Sequence, residues 1–132
     1  MKAISIKQPW ANMIRDGLKT IETRTRSTTH RGELLICSSK SPSIYPAGYA
    51  LAIVDLMDCR PMEKADEEAA RCEVYPGAWA WVLRNVRPIS IFPVRGQLGL
   101  FEAPTGTGQS GTYRVNCDLS WLTPEMPRKQ EG

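Results

Sequence analysis

The sequence predicts a mainly β fold with flanking helices, arranged as a small, closed or half-closed antiparallel β-barrel. Three observations carry that reading. Short β-branched and apolar runs dominate, roughly six or seven of them against two helical segments. Tight turns rich in Gly, Pro, Ser and Thr join these runs, which suits neighbouring antiparallel strands better than a parallel α/β sheet. No Gly-x-Gly-x-x-Gly or Walker pattern interrupts them, so no nucleotide cofactor is indicated.

The elements follow in order. Lys2, Ile4 and Ile6 alternate with Ala3, Ser5 and Lys7, giving a short first strand. Pro9 offers no N–H to a ladder and suits the first turn of a helix. Trp10, Met13 and Ile14 recur at helical spacing, so that helix has one apolar side, and Gly17 supplies a left-handed stop. Residues 19–25 resume as strand, and 26–32 form a polar turn. Residues 33–38 read as a buried strand and 39–48 as a loop. Residues 49–58 are the strongest strand, interrupted by Asp55. Pro61 is predicted to open a second helix, whose acidic first turns (Glu63, Asp66, Glu67, Glu68) suit the helix dipole and form a solvated face. After a turn at Tyr75-Pro76-Gly77, residues 78–86 form a strand with Trp79 and Trp81 on one side. Arg87-Pro88 breaks it; 89–92 and part of 95–101 add two short strands. These make one domain over 1–103. Residues 104–132 read as a Gly/Ser/Thr-rich linker and a C-terminal tail, with 113–122 as an edge strand or strap.

A chain of 132 residues can bury a core without disulfides or metal. No apolar run approaches the roughly 20 residues of a membrane helix, and no export pattern opens the chain, so a cytoplasmic location and no membrane partner are expected. The net charge of +3 permits an anionic partner without demanding one. Its distribution is more informative. Arg15, Lys19, Arg24, Arg26 and Arg31 crowd one stretch against Asp16 and Glu22; Arg84, Arg87 and Arg95 form a second group; acid concentrates in 55–73. Cys37, Cys59, Cys72 and Cys117 show no Cys-x-x-Cys spacing, so neither zinc nor another metal is indicated and the thiols are expected reduced. His30, the sole histidine, lies in a turn with no fixed partner and reads as a loop residue.

The polar corner at 4–24 resembles the ASCH domain, a branch of the PUA-like barrel superfamily. The resemblance rests on Ile4-Ser-Ile-Lys-Gln-Pro-Trp-Ala, Gly17-Leu-Lys-Thr-Ile-Glu-Thr-Arg, Arg31-Gly-Glu-Leu-Leu-Ile-Cys-Ser-Ser, Ala50-Leu-Ala-Ile-Val-Asp-Leu, and Trp79-Ala-Trp-Val-Leu-Arg-Asn-Val-Arg-Pro-Ile followed by Pro93-Val-Arg-Gly. Together these words span residues 1–102 in the family's order. The resemblance implies a small PUA-like β-barrel with a cleft at the strand–helix–strand corner. It also implies RNA binding, DNA binding in some members, ribonuclease activity in others, and in one branch deacetylation of N4-acetylcytidine by a lysine, a threonine and a glutamate. That lysine falls on Lys19. The threonine's position holds Glu22, with Thr20 and Thr23 as neighbouring hydroxyls. Asp55 and Glu73 are candidates for the glutamate.

The residues themselves allow two uses of this corner. A lysine acts as a base only when its pKa falls far below about 10.4, which Arg24 or Lys7 nearby would promote and Glu22 would oppose. On a regular strand Lys19 and Glu22 face opposite ways, so they converge only if the strand entry is bulged or turned. Nucleic-acid binding needs less. Lys7, Lys19, Arg24, Arg31 and Lys40 can meet phosphates; Gln8, Ser38 and Ser39 can bond base edges; Trp10 or Tyr45 can stack a base. Against this, helical spacing assigns Trp10 to the core, Trp79 and Trp81 suit a barrel wall, and Glu22–Arg24 suits a structural cross-strand ion pair. Asp55 within an apolar strand needs a partner, with Arg24 or Arg84 as the expected one. The expected function is an RNA-binding module, with DNA as an alternative ligand, using a cleft of residues 7–10, 19–24 and 38–40. The other reading is a hydrolase of RNA or of a modified nucleoside with Lys19 central. A protein-interaction domain would leave the corner unfocused.

Overall fold

The computed structural model describes residues 1–103. The linker and tail expected at 104–132 lie outside the described residues. The elements are β1 (Lys2–Ile6), α1 (Trp10–Arg15), β2 (Ile21–Arg24), β3 (Gly32–Ser38), β4 (Tyr49–Pro61), a 3-10 turn (Lys64–Asp66) running into α2 (Glu67–Ala70), β5 (Trp79–Pro93) and β6 (Leu100–Glu102). The strands form one six-stranded sheet in the order β2-β5-β4-β3-β1-β6. This is the small, curled PUA-like barrel with flanking helices that the sequence predicts. Its pairings are antiparallel except one: β1 runs parallel to β3, with Ile4 beside Ile36. The exception follows from connectivity. The chain leaves β1 through α1, visits the far edge as β2, and returns as β3 beside its starting strand.

Several boundaries differ from expectation for local physical reasons. Pro61 does not open a helix; it ends β4, paired with Trp79. The helical turn starts at Lys64, where Glu63 and Asp66 form a reciprocal capping box. The acidic run is therefore not a uniformly solvated face. Asp66 is buried and accepts two bonds from Arg60, at 2.7 and 2.9 Å. The two strands expected on either side of Arg87-Pro88 are one 15-residue strand, β5. Its register against β4 shifts between Ile53 and Asp55 and between Ala50 and Ala52. Asn85 takes a left-handed φ of 56° there, a conformation asparagine tolerates. A third shift lies between Leu56 and Asp58, and Pro88 sits between the first two, where a missing ladder donor costs least.

The core occupies the inside of the curl. Ile4, Ile6, Ile14, Leu34, Ile36, Leu51, Leu56, Trp81 and Leu83 form its main cluster, with Trp10 and Trp79 packed against it. A second cluster gathers Ala3, Leu35, Ile53, Ile89 and Phe101 on the other face. A third, small-residue cluster (Ile21, Met62, Ala70, Cys72, Ala78, Ala80) seats α2 against the outer strands. Cys37, Cys59 and Cys72 are free thiols. Burial pushes the Cys37 pKa up to about 12. Among the described residues no helix is long and apolar enough to cross a membrane.

Candidate nucleic-acid interface

α1 is too short to hold itself by propensity, and it is fixed by buried polar bonds instead. Gln8 Nε2 donates to Asn12 Oδ1 and to Ser38 Oγ, both at 2.9 Å, and Gln8 Oε1 accepts from the Asn12 backbone N–H at 3.1 Å. Asn12 Nδ2 donates to the Tyr45 carbonyl at 3.3 Å. Arg15 Nη1 donates to Asn12 Oδ1 at 3.1 Å, and its Nε meets Asp16 Oδ1 at 2.9 Å. Burial lowers the Arg15 pKa to about 10, the Asp16 charge resisting the fall. Burial likewise raises Asp16, against the pull of Arg15. These groups are walled off. Gln8 is buried, so the base-edge role expected for it falls to a residue whose amide is already committed within the fold.

Gly17, at φ +81°, turns the chain out of α1. β2 begins only at Ile21, so Lys19 and Glu22 are not on one regular strand and can converge. Lys19 Nζ lies 3.5 Å from Glu22 Oε1 and donates to the Ala70 carbonyl at 2.6 Å. Glu22 Oε2 meets Arg24 Nε at 3.0 Å, a pair made within one strand, where the sequence suggested a cross-strand bridge. Arg24 Nη2 then donates to the Ser5 carbonyl on β1 at 2.8 Å. This bond closes the curl: it ties β2, one edge of the sheet, to β1 beside the other edge.

Above this tie opens a cleft of about 790 Å³ lined by Ser5, Lys7, Glu22, Thr23, Arg24, Thr25, Ser38, Ser39, Lys40, Gly48, Tyr75 and residues 94–99. Of the sequence-predicted site residues, it brings together Lys7, Glu22, Thr23, Arg24, Ser38, Ser39 and Lys40. Lys19 is not on its wall. That side chain is 0 % exposed, behind Glu22, and borders a separate pocket of about 50 Å³ with Thr20 and Arg84. Trp10 packs on the main core. Tyr45 is exposed elsewhere. Arg31 is absent from the wall; it donates to the Thr28 and His30 carbonyls and approaches Asp58 at 3.8 Å. His30 Nε2 lies 2.9 Å from the Glu33 carbonyl oxygen.

Asp55 has partners other than those expected. Its carboxylate accepts from Arg87 Nη2 and Asn85 Nδ2, each at 3.0 Å, and these bonds hold its pKa below the ordinary value. Arg84 is its backbone neighbour across the ladder, but its side chain borders the small pocket beside Lys19 instead. Glu73 is exposed and also absent from the cleft wall.

Sequence reasoning missed Ser5, Tyr75, Arg95, Gln97 and Leu98. Tyr75 follows α2 and packs against the third core cluster. Burial raises its hydroxyl pKa, while a hydrogen-bonding interaction with Thr23 pulls it back. The 94–99 loop reaches the cleft by lying against β1: a Cβ added at Gly96 would stand 2.5 Å from Ser5 Oγ, so glycine permits this approach. The Gly-punctuated stretch Arg95 to Gly99 was the available signal, since close backbone approach is one reason for glycine in such a loop.

The fold and cleft therefore define a small PUA-like barrel with a basic, open groove at its strand–helix–strand corner. A sequence model of the ASCH domain matches residues 4–93, and the chain belongs to the ASCH domain family. It is also similar to activating signal cointegrator 1 of mouse and of human, each 25 % identical over 119 aligned residues, covering 70 % of this chain and 20 % of the relative. The chain thus spans about a fifth of the length of these curated relatives. Among solved structures it is similar to ASCH from Zymomonas mobilis, at 18 % identity and a TM-score of 0.50 over 70 % of this chain and 72 % of that one. A tyrosine-to-phenylalanine mutant of the same protein gives 19 % identity and a TM-score of 0.53, over 70 % and 74 %. At these identities the structural likeness concerns the fold.

Proposed function

We propose that this ASCH domain binds single-stranded RNA in the cleft at the β1–β2 closure. The observation that carries the reading is the charge of the wall. Lys7, Arg24, Lys40 and Arg95 line it against one carboxylate, Glu22, which already faces Arg24 and Lys19. Lys7, Lys40 and Arg95 are exposed, so their charges are available to phosphates, while Ser5, Ser39 and Gln97 add polar groups able to meet sugars and base edges. The volume of about 790 Å³ lies in the range of ligand-binding clefts, and the concave wall concentrates the positive field.

The test is a salt titration of RNA affinity. Each phosphate contact on a single strand contributes a slope of about −0.7 in log affinity against log salt, so native protein should bind an unstructured RNA oligomer with a slope of about −2 to −3. The triple variant Lys7→Ala, Lys40→Ala, Arg95→Ala should keep its fold and lose about two units of that slope. Binding that ignores salt would overturn the reading.

A hydrolase acting on RNA or a modified nucleoside is the second reading, and Glu22 supports it: a 3 % exposed carboxylate on the cleft floor with Lys19 behind it. Lys19 would then position Glu22 and not touch the substrate. Turnover of N4-acetylcytidine or of single-stranded RNA by native protein, abolished in Glu22→Gln with RNA affinity retained, is its test.

A further inference from the structure

The cleft wall draws on segments of different origin. One is Tyr75, whose ring packs on the third core cluster. Another is the 94–99 loop, held against β1 where Gly96 meets Ser5. At that loop's tip Leu98 is 99 % exposed, an apolar side chain standing in water at the edge of a basic groove. Tyr75 is the one aromatic on the cleft wall among the described residues. Its ring is half-buried, packed on that cluster and also part of the cleft lining. A stacking platform needs this combination, because a ring fixed in place loses little entropy when a base settles on it. The cations on the same wall would hold the flanking phosphates, as in single-strand grooves that combine charge with an aromatic surface.

We infer that Tyr75 and Leu98 form a jaw that takes one unpaired nucleobase, Tyr75 as the stacking platform and Leu98 as the apolar closure. The inference rests on the RNA-binding reading above and sharpens its ligand to a strand with a base free of pairing. Duplex RNA keeps its bases stacked inside the helix and offers this jaw nothing to grip.

The experiment uses the full chain and an unstructured RNA octamer carrying 2-aminopurine at a central position, alongside a duplex of the same sequence. Tyr75→Leu keeps an apolar body against the core cluster and removes the aromatic face; Tyr75→Phe keeps the face and removes the hydroxyl. Stacking on an aromatic side chain is worth enough for about a tenfold loss on removal. Tyr75→Leu should therefore weaken octamer binding about tenfold with the salt slope unchanged, and should relieve 2-aminopurine quenching. Tyr75→Phe should bind within about twofold of native protein, and Leu98→Ser should weaken binding about threefold. Duplex should bind at least about tenfold more weakly than the octamer. Tyr75→Leu binding like native protein, or duplex binding like the octamer, would overturn the jaw while the salt-dependent basic cleft stood. Absence of octamer binding by native protein at low salt would overturn both.

Discussion

Two charged clusters on this sheet have nearly the same bond lengths and differ in how deeply their members are buried. On the outside, Arg87 meets Asp55 at 3.0 Å and Glu33 at 3.4 Å, with Glu33 66 % exposed. At the sheet closure, Glu22 meets Arg24 at 3.0 Å and Lys19 at 3.5 Å, with Lys19 and Glu22 at most 3 % exposed. Distance alone would rank them equal. Water separates them. All three outer charges keep contact with water, Glu33 most and Asp55 and Arg87 in part, so pairing adds little. Lys19 and Glu22 have surrendered their hydration, while Arg24, 29 % exposed, keeps part of its own, so removing Glu22 leaves the Lys19 ammonium to bear the desolvation cost.

The comparison breaks most visibly at Glu22. Glu22→Ala should destabilise the domain by about 3–5 kcal/mol in urea unfolding, the range for removing one member of a buried charged group; a loss under about 1 kcal/mol would mean that burial is not what distinguishes the clusters. Asp66 tests an intermediate case, since it is buried but its partner Arg60 is 37 % exposed. Asp66→Asn should cost about 1–2 kcal/mol at neutral pH, through the weakened bonds from Arg60 and from the Glu63 N–H. The Arg60 bond and the Glu63 N–H hold the Asp66 pKa below its unfolded value. Its stabilisation is therefore present above the unfolded carboxylate range and lost as pH falls through the folded pKa. Native and Asp66→Asn unfolding curves should converge in acid, and a gap that persists undiminished there would refute the charge-based account. Arg87→Ala should cost least, below about 1 kcal/mol, and the small loss should shrink further in high salt.

How much of this was legible in the sequence follows the same division. The presence of strands at 2–6, 21–24, 32–38 and 49–61, the Gly17 stop and the core placement of Trp10 depend on local pattern, and the structure has them, with shifted strand ends. The parallel β1–β3 pair, the continuous β5 and the true partner of Asp55 depend on register between distant segments, which no local pattern carries. Lys7, Glu22, Thr23, Arg24, Ser38, Ser39 and Lys40 were readable as a site because they flank one corner in the chain. Lys19 looked the same in sequence. What sets it apart is Ala70, whose carbonyl arrives from α2 to take its ammonium. Tyr75 and Leu98 were invisible because they join the corner only when the sheet curls.

The bond from Arg24 to the Ser5 carbonyl makes one guanidinium both the clasp of the hoop and a lip of the groove. A guest that draws on Arg24 must share it with the backbone of β1. Occupancy and closure then become a single variable, and amide exchange along the first two strands should register a visitor that never touches most of those amides.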